Sequence, residues 1–200
     1  MAFLGYIRQN ATELLGFVTG AACVWLIVRE NIWNWPIGIA NNLFFVFLFF
    51  KAGLFADVGL QGFYIVLGIY GWWHWLHGGR GDTELPITRT KPLEGLFQLA
   101  GTGALTVLLA FLLMRYTPST VPWWDGLTTS LSITAQWLMT RKKLEHWWFW
   151  IATDALSIGL FIYKHLYLTA VLYLIFGIMC AVGLMQWRRS WKAEQNPLPA

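Results

Sequence analysis

Seven times this chain runs for the thickness of a membrane with hardly a charge. The runs lie near residues 12–30, 33–50, 56–76, 95–115, 121–140, 146–163 and 168–188. Each approaches the ~20 apolar residues that a helix needs to cross a hydrocarbon layer of ~30 Å. Inside that layer a segment must satisfy its own backbone amides, so each run is read as a helix. Charged residues make up 12% of the chain, against about 25% in a soluble domain. They are too few to cover a water-facing surface. The expected fold class is all-α and integral to a membrane, with seven transmembrane helices.

The connections give an orientation. With the N-terminus outside, the inner side receives Arg29, then Arg80, Arg89 and Lys91, then Arg141, Lys142 and Lys143, then Arg188, Arg189 and Lys192. The outer side receives only Arg8, Lys51, Arg115 and Lys164. The excess of Lys and Arg marks the cytoplasmic side, so the C-terminus is expected there. The net charge of +4 is thus an orientation signal, and no nucleic-acid partner is implied. The start, MAFLGYIRQNATELL, lacks a basic stretch followed by an apolar core and a cleavage site, so no cleavable signal is expected. The 14 tryptophans cluster near the ends of the runs, as at Trp33 and Trp35 or Trp147, Trp148 and Trp150. Rings at those positions suit the headgroup level. Cys23 and Cys180 lie inside apolar runs and read as packing residues.

The two ends of the chain resemble each other. A shift of 113 residues lays Trp35 on Trp148, Asn41 on Asp154 and Lys51 on Lys164. The expected organisation is a three-helix bundle over 1–80, a loop plus linker helix over 81–120, a second three-helix bundle over 121–190 and a cytoplasmic tail over 191–200. Three spans reverse the chain, and one extra span restores its direction. A 3+1+3 order therefore makes the two bundles parallel repeats, an arrangement in which a substrate site lies between the halves near the midplane.

Polar residues inside spans are costly and point to a partner or a wet cavity. Residues three, four or seven apart share a helix face. Asn34, Gly38 and Asn41 do so in the second span, and Asp57, Gln61 and Tyr64 in the third. Thr129, Ser132 and Gln136 follow in the fifth, Trp150, Asp154 and Ser157 in the sixth, and Thr169, Tyr173 and Phe176 in the seventh. Amides that donate and accept, beside phenols and one mid-span carboxylate, suit a small polar or cationic solute. Any single amide also serves as glue between helices, and Asp57 also reads as a helix cap. Gly16 and Gly20 read as a close-packing pair. No GxxxxGK[ST] loop is present, so no ATP hydrolysis by that route is expected. His74 and His77 lack companions at metal-ligand spacing, and no nucleophile–base set appears. The chain is read as a non-enzyme without cofactor or metal.

Two stretches resemble the PnuC nicotinamide riboside transporters, NNLFFVFLFFKAGLFADVGLQGFYIVLGIYGWWHW and WWDGLTTSLSITAQWLMTRKKLEHWWFWIATDALSIGLFIYKHLYLTAVLYLIFG. The pieces that carry the likeness are AQWLMTRK at 135–142, WFWIATD at 148–154 and the LQ…YGW segment at 60–72. The resemblance implies a bacterial inner-membrane vitamin carrier related to the SWEET sugar transporters. It implies facilitated diffusion by alternating access, with the substrate trapped by phosphorylation in the cell. It also implies substrate-binding roles for Asn41, Gln61, Tyr64, Trp72, Gln136, Asp154 and Tyr173. On that basis the amides would meet ribose and carboxamide, and the aromatics and Asp154 the pyridinium ring. Thiamine, a deoxynucleoside or riboflavin remain alternative substrates, with or without ion coupling. The lipid bilayer is the expected surrounding partner, and a homo-oligomer is compatible with the pattern.

Overall fold

Helices form on each of the seven apolar runs. They are α1 (Ala11–Val28), α2 (Asn34–Lys51), α3 (Phe55–His77), α4 (Pro92–Tyr116), α5 (Pro122–Thr140), α6 (His146–Tyr163) and α7 (Tyr167–Gln195). This computed structural model describes residues 11–51 and 55–195, without the side chains of 11–17 and 55–57. Arg8 and the side chains of Gly16 and Asp57 lie outside the described residues. Helices α4 and α5 open on proline, where the ring removes only an amide that would have had no intrahelical partner. The last helix outruns its apolar run. Arg188, Arg189 and Lys192 extend α7 to Gln195, into the stretch expected to be a tail.

The helices close a ring. Going round it, α1 packs on α2, α2 on α3, α3 on α5, α5 on α6, α6 on α7, and α7 returns to α1. Helix α4 stands outside and packs on α5 alone among the described helices. Its outer face exposes Leu96, Phe97, Leu99, Val107, Leu108 and Phe111. Similar rows on α2 and α3 include Phe44, Phe47, Phe63, Val66 and Ile69. Continuous apolar surface on this scale belongs against lipid. By length and composition alone, α4 and α7 pass as membrane spans. The ring helices α2, α3, α5 and α6 dilute their apolar faces with the polar residues that turn inward.

The buried core lies at one end of the ring, the basic end, where 29–33, 78–91 and 141–145 connect the helices. Trp35, Trp75, Trp147 and Trp187 meet there with Val28, Met139 and Leu144. Trp35 and Trp75 lie edge to face at 5.4 Å, as do Trp147 and Trp187 at 5.7 Å. This corrects the interfacial reading of the tryptophans. Trp33, Trp73 and Trp148 are indeed exposed at 62%, 59% and 59%, but a neighbour in each cluster turns in to 2% or less. Residues 78–91 strap the plug. Leu85 and Ile87 are buried in it, and Thr88 pairs with the 142–144 backbone through Thr88 N–H to Lys142 O at 3.0 Å and Leu144 N–H to Thr88 O at 2.9 Å.

Equivalent contacts recur at a spacing of 112 residues, not the 113 of the sequence alignment. A Cβ on Gly71 would overlap the Trp35 ring, and one on Gly183 would overlap the Trp147 ring in the same way. Trp75 Nε1 donates to Met139 O at 2.9 Å, and Trp187 Nε1 donates to Ile27 O at 2.8 Å. Arg29 covers the Trp25 ring and Arg141 the Trp137 ring. Helices α1 and α5 both end on a non-glycine residue in the left-handed region, Glu30 (φ 54°) and Lys142 (φ 45°). The register of 112 thus sets Trp35 against Trp147 and Asn42 against Asp154.

Candidate functional site

Above the plug the ring encloses a cavity with two lobes, of about 280 and 240 Å³. Each falls just short of the ~300–1,000 Å³ usual for small-molecule sites, and together they lie within it. Gly20, Ile27, Gln136, Met139 and Trp150 form the shared wall. The first lobe is lined by amides and a phenol, with Asn34, Asn41, Asn42 and Tyr64 around Gly38 and Gly68. The second is lined by Asp154, Tyr173, Phe176, Cys180 and Trp147.

Local contacts fix these groups. Asn41 on α2 accepts a hydrogen bond at Oδ1 from Thr19 Oγ1 on α1 at 3.0 Å, which leaves its amide NH2 free of that bond. Asp154 is 5% exposed and accepts from the Cys180 thiol at 3.5 Å across the α6–α7 contact. Its Cβ lies beside Gly177, where an added Cβ would stand in ordinary contact at 3.6 Å. Tyr173 is held between Phe161 at 5.1 Å and Phe176 at 6.1 Å. Among the described residues, Asp154 carries the only carboxylate on either lobe, and neither lobe has a Lys, Arg or His. A weak thiol bond does little to offset a buried carboxylate, so a cation from outside the chain would complete its surroundings. Among the described residues no cluster of metal-ligating groups occurs.

Of the residues expected at a site, Asn41, Tyr64, Gln136, Asp154 and Tyr173 line this cavity. Gln61 and Trp72 line neither lobe. Gln61 sits on α3 one turn beyond Tyr64, away from the plug, and Trp72 is 39% exposed on the outer surface. Trp35 and Trp147, which form the floor, were legible only as part of the tryptophan clusters, whereas Trp150 in the shared wall was also placed on the face of Asp154. The signal that separates them is the 112-residue register, which pairs Trp35/Gly71 with Trp147/Gly183.

At the basic end, Lys142 Nζ lies 3.9 Å from Glu30 Oε2 and 4.7 Å from the centroid of the Trp75 ring. Burial pushes the Lys142 amine below its ordinary value, against the opposing pull of Glu30, Glu84 and Glu194. Glu194 is pushed up by burial and by Glu30.

The family model described as nicotinamide mononucleotide transporter matches residues 10–189. The chain belongs to this family. It is 30% identical to the nicotinamide riboside transporter PnuC of Escherichia coli K12, over 89% of this chain and 85% of that protein. It is 23% identical to the riboflavin/roseoflavin transporter RibM of Streptomyces davaonensis, over 94% of this chain and 89% of that protein. The crystal structure of the vitamin B3 transporter PnuC superposes with a TM-score of 0.71 at 22% identity, covering 96% of this chain and 86% of that one. The chain thus shares its helical fold with that solved transporter, and its named relatives are transporters of nicotinamide riboside and of riboflavin or roseoflavin.

Proposed function

We propose that this protein takes up nicotinamide riboside across a bacterial inner membrane. The observation that carries the reading is a cavity ringed by six helices with amides on one side, aromatics on the other and, among the described residues, one carboxylate and no cationic side chain. Amides suit ribose hydroxyls and a carboxamide. Rings and a carboxylate suit a pyridinium cation. The same lining disfavours the mononucleotide, although the family is named for it, because a buried phosphate without Lys or Arg would be left unpaired.

The mechanism is alternating access by two parallel three-helix repeats, α1–α3 and α5–α7, with α4 as the linker outside. The contacts that recur at 112 residues support this. The basic end faces the cytoplasm, the N-terminus lies outside, and phosphorylation in the cell traps the product. Facilitated diffusion fits a chain without a phosphate-cradling loop.

The test is ligand binding to purified protein and flux into proteoliposomes, with nicotinamide riboside, its mononucleotide, thiamine and riboflavin compared. Asp154→Asn keeps the shape and removes the charge. A hydrogen-bonded charge contributes about 1.5–3 kcal/mol, so riboside affinity is expected to fall on the order of 10- to 100-fold, with the fold retained. Wild-type affinity in Asp154→Asn would exclude the carboxylate from the site.

A further inference from the structure

The 112-residue register sets Gly38 on α2 against Trp150 on α6. Trp150 stands in the wall shared by both lobes. Gly38 lines the first lobe, and a Cβ built on it meets no heavy atom within 4 Å. This openness is not general for glycines that face the ring. Gly68, which lines the same lobe, has Ile39 within 2.9 Å of where its Cβ would stand, and Gly71 has the Trp35 ring in place. The first half therefore holds open room at the position where the second half holds an indole.

The edges of that room are polar in a specific way. Asn34, Asn41 and Asn42 share the face of α2 with Gly38, and Tyr64 and Gln136 stand on the facing helices α3 and α5. Side-chain amides present a donor and an acceptor side by side, the pattern that pairs with another carboxamide. Open room in a lobe of about 280 Å³ with amide edges suits a carboxamide-bearing aromatic ring.

We propose that Gly38 is the specificity-determining residue of the carrier: the heterocycle of the substrate occupies the room in front of it, as the counterpart of the Trp150 indole in the other half. The proposal rests on the uptake reading above and adds where the ring sits. This reverses the orientation expected from the sequence: the amides meet the carboxamide of the ring, and the sugar extends toward the second lobe, where Asp154 supplies a hydrogen-bond acceptor for its hydroxyls and the counter-charge for the whole ligand.

The test is a volume series, Gly38→Ala, Gly38→Val and Gly38→Leu, with binding of two probes measured on purified full-length protein. The probes are nicotinamide riboside and 1-methylnicotinamide, the same charged ring without the sugar. Because the added Cβ meets nothing, Gly38→Ala should not lower the unfolding temperature, and the same melting assay checks that the valine and leucine variants are folded. Affinity for both probes should fall stepwise, by at least about tenfold at leucine, a change equivalent to ~1.4 kcal/mol. The exchange variant Gly38→Trp with Trp150→Gly should recover part of the loss seen in Gly38→Trp alone. Leucine at 38 without effect on either probe overturns the proposal while wild-type binding upholds the uptake reading. Loss of riboside with 1-methylnicotinamide unaffected also overturns it, since the sugar would then occupy the room. Failure of the wild-type protein to bind either probe overturns both readings.

Discussion

The Glu30–Lys142 pair gives the most quantitative check on how the basic end is held. Lys142 Nζ is 3.9 Å from the Glu30 carboxylate, with the lysine side chain 8% exposed and the glutamate 23%. Breaking a fully buried pair by removing one partner costs about 3–5 kcal/mol. The separation is long and Glu30 still touches water, so the expected cost of Glu30→Gln is smaller, about 1–2 kcal/mol. For a chain of this size that is about 3–6 °C in thermal unfolding of the detergent-solubilised protein. Lys142→Met should cost less, since it removes the charge that burial disfavours, and the double variant should unfold above Glu30→Gln alone. The pH dependence has a definite sign. The Lys142 amine sits below its ordinary 10.5 in the folded protein, so between the two values the unfolded chain binds a proton that the folded chain does not. The wild-type protein should therefore gain stability relative to Lys142→Met as pH rises toward 10.5. A double variant no better than Glu30→Gln, or a difference that stays flat or falls with pH, would refute the account of Lys142 as a buried cation held by its acids.

Two further outcomes follow from the tryptophans. Gly71→Ala and Gly183→Ala should each destabilise by about 1–3 kcal/mol through overpacking on Trp35 and Trp147, and Trp147→Leu should relieve Gly183→Ala but not Gly71→Ala in the same melting assay. Trp187→Ala empties a fully buried site and should cost about 3–5 kcal/mol, whereas Trp33→Leu, exposed at 62%, should change stability by less than ~0.5 kcal/mol.

The spans were legible because hydrocarbon demands a fixed length of apolar helix, and α6, at 146–163, falls on its expected bounds. Asp154 was legible for the complementary reason, that a mid-span carboxylate needs something beside it. The inward and outward tryptophans could not be separated by composition, because an indole suits both a headgroup layer and a buried plug with a carbonyl in reach of Nε1. The repeat was read one residue out. The alignment followed Lys51 and Lys164, whereas the packing follows Gly71 and Gly183, whose role depends on which ring lies over them. Gln61 and Trp72 were carried by a motif that spans several faces of α3, and only some of those faces turn inward.

Contacts at the basic end divide into those within a half and those between halves, and the division bears on how the proposed carrier can cycle. Trp35 on Gly71 and Trp147 on Gly183 each lie within one half, so both halves can move as rigid bodies with these locks intact. Contacts that cross between the halves include three polar ones, Trp75 to Met139 O, Trp187 to Ile27 O and Lys142 to Glu30, together with the Trp75 ring against Lys142 and Trp187. On the alternating-access reading, opening this end breaks those three, and the two hydrogen bonds have a net worth of about 1 kcal/mol each. The same region holds buried polar atoms that find no partner among the described residues: Trp35 Nε1, Trp147 Nε1, His146 Nε2 and Thr90 Oγ1. Each such atom costs about 1–3 kcal/mol while it stays dry, and water entering an opened end would relieve it. The crossing contacts favour the closed end and the unpaired atoms the open one. An alternating-access carrier needs its two states within a few kcal/mol of each other, and contributions of opposite sign at this end would work in that direction.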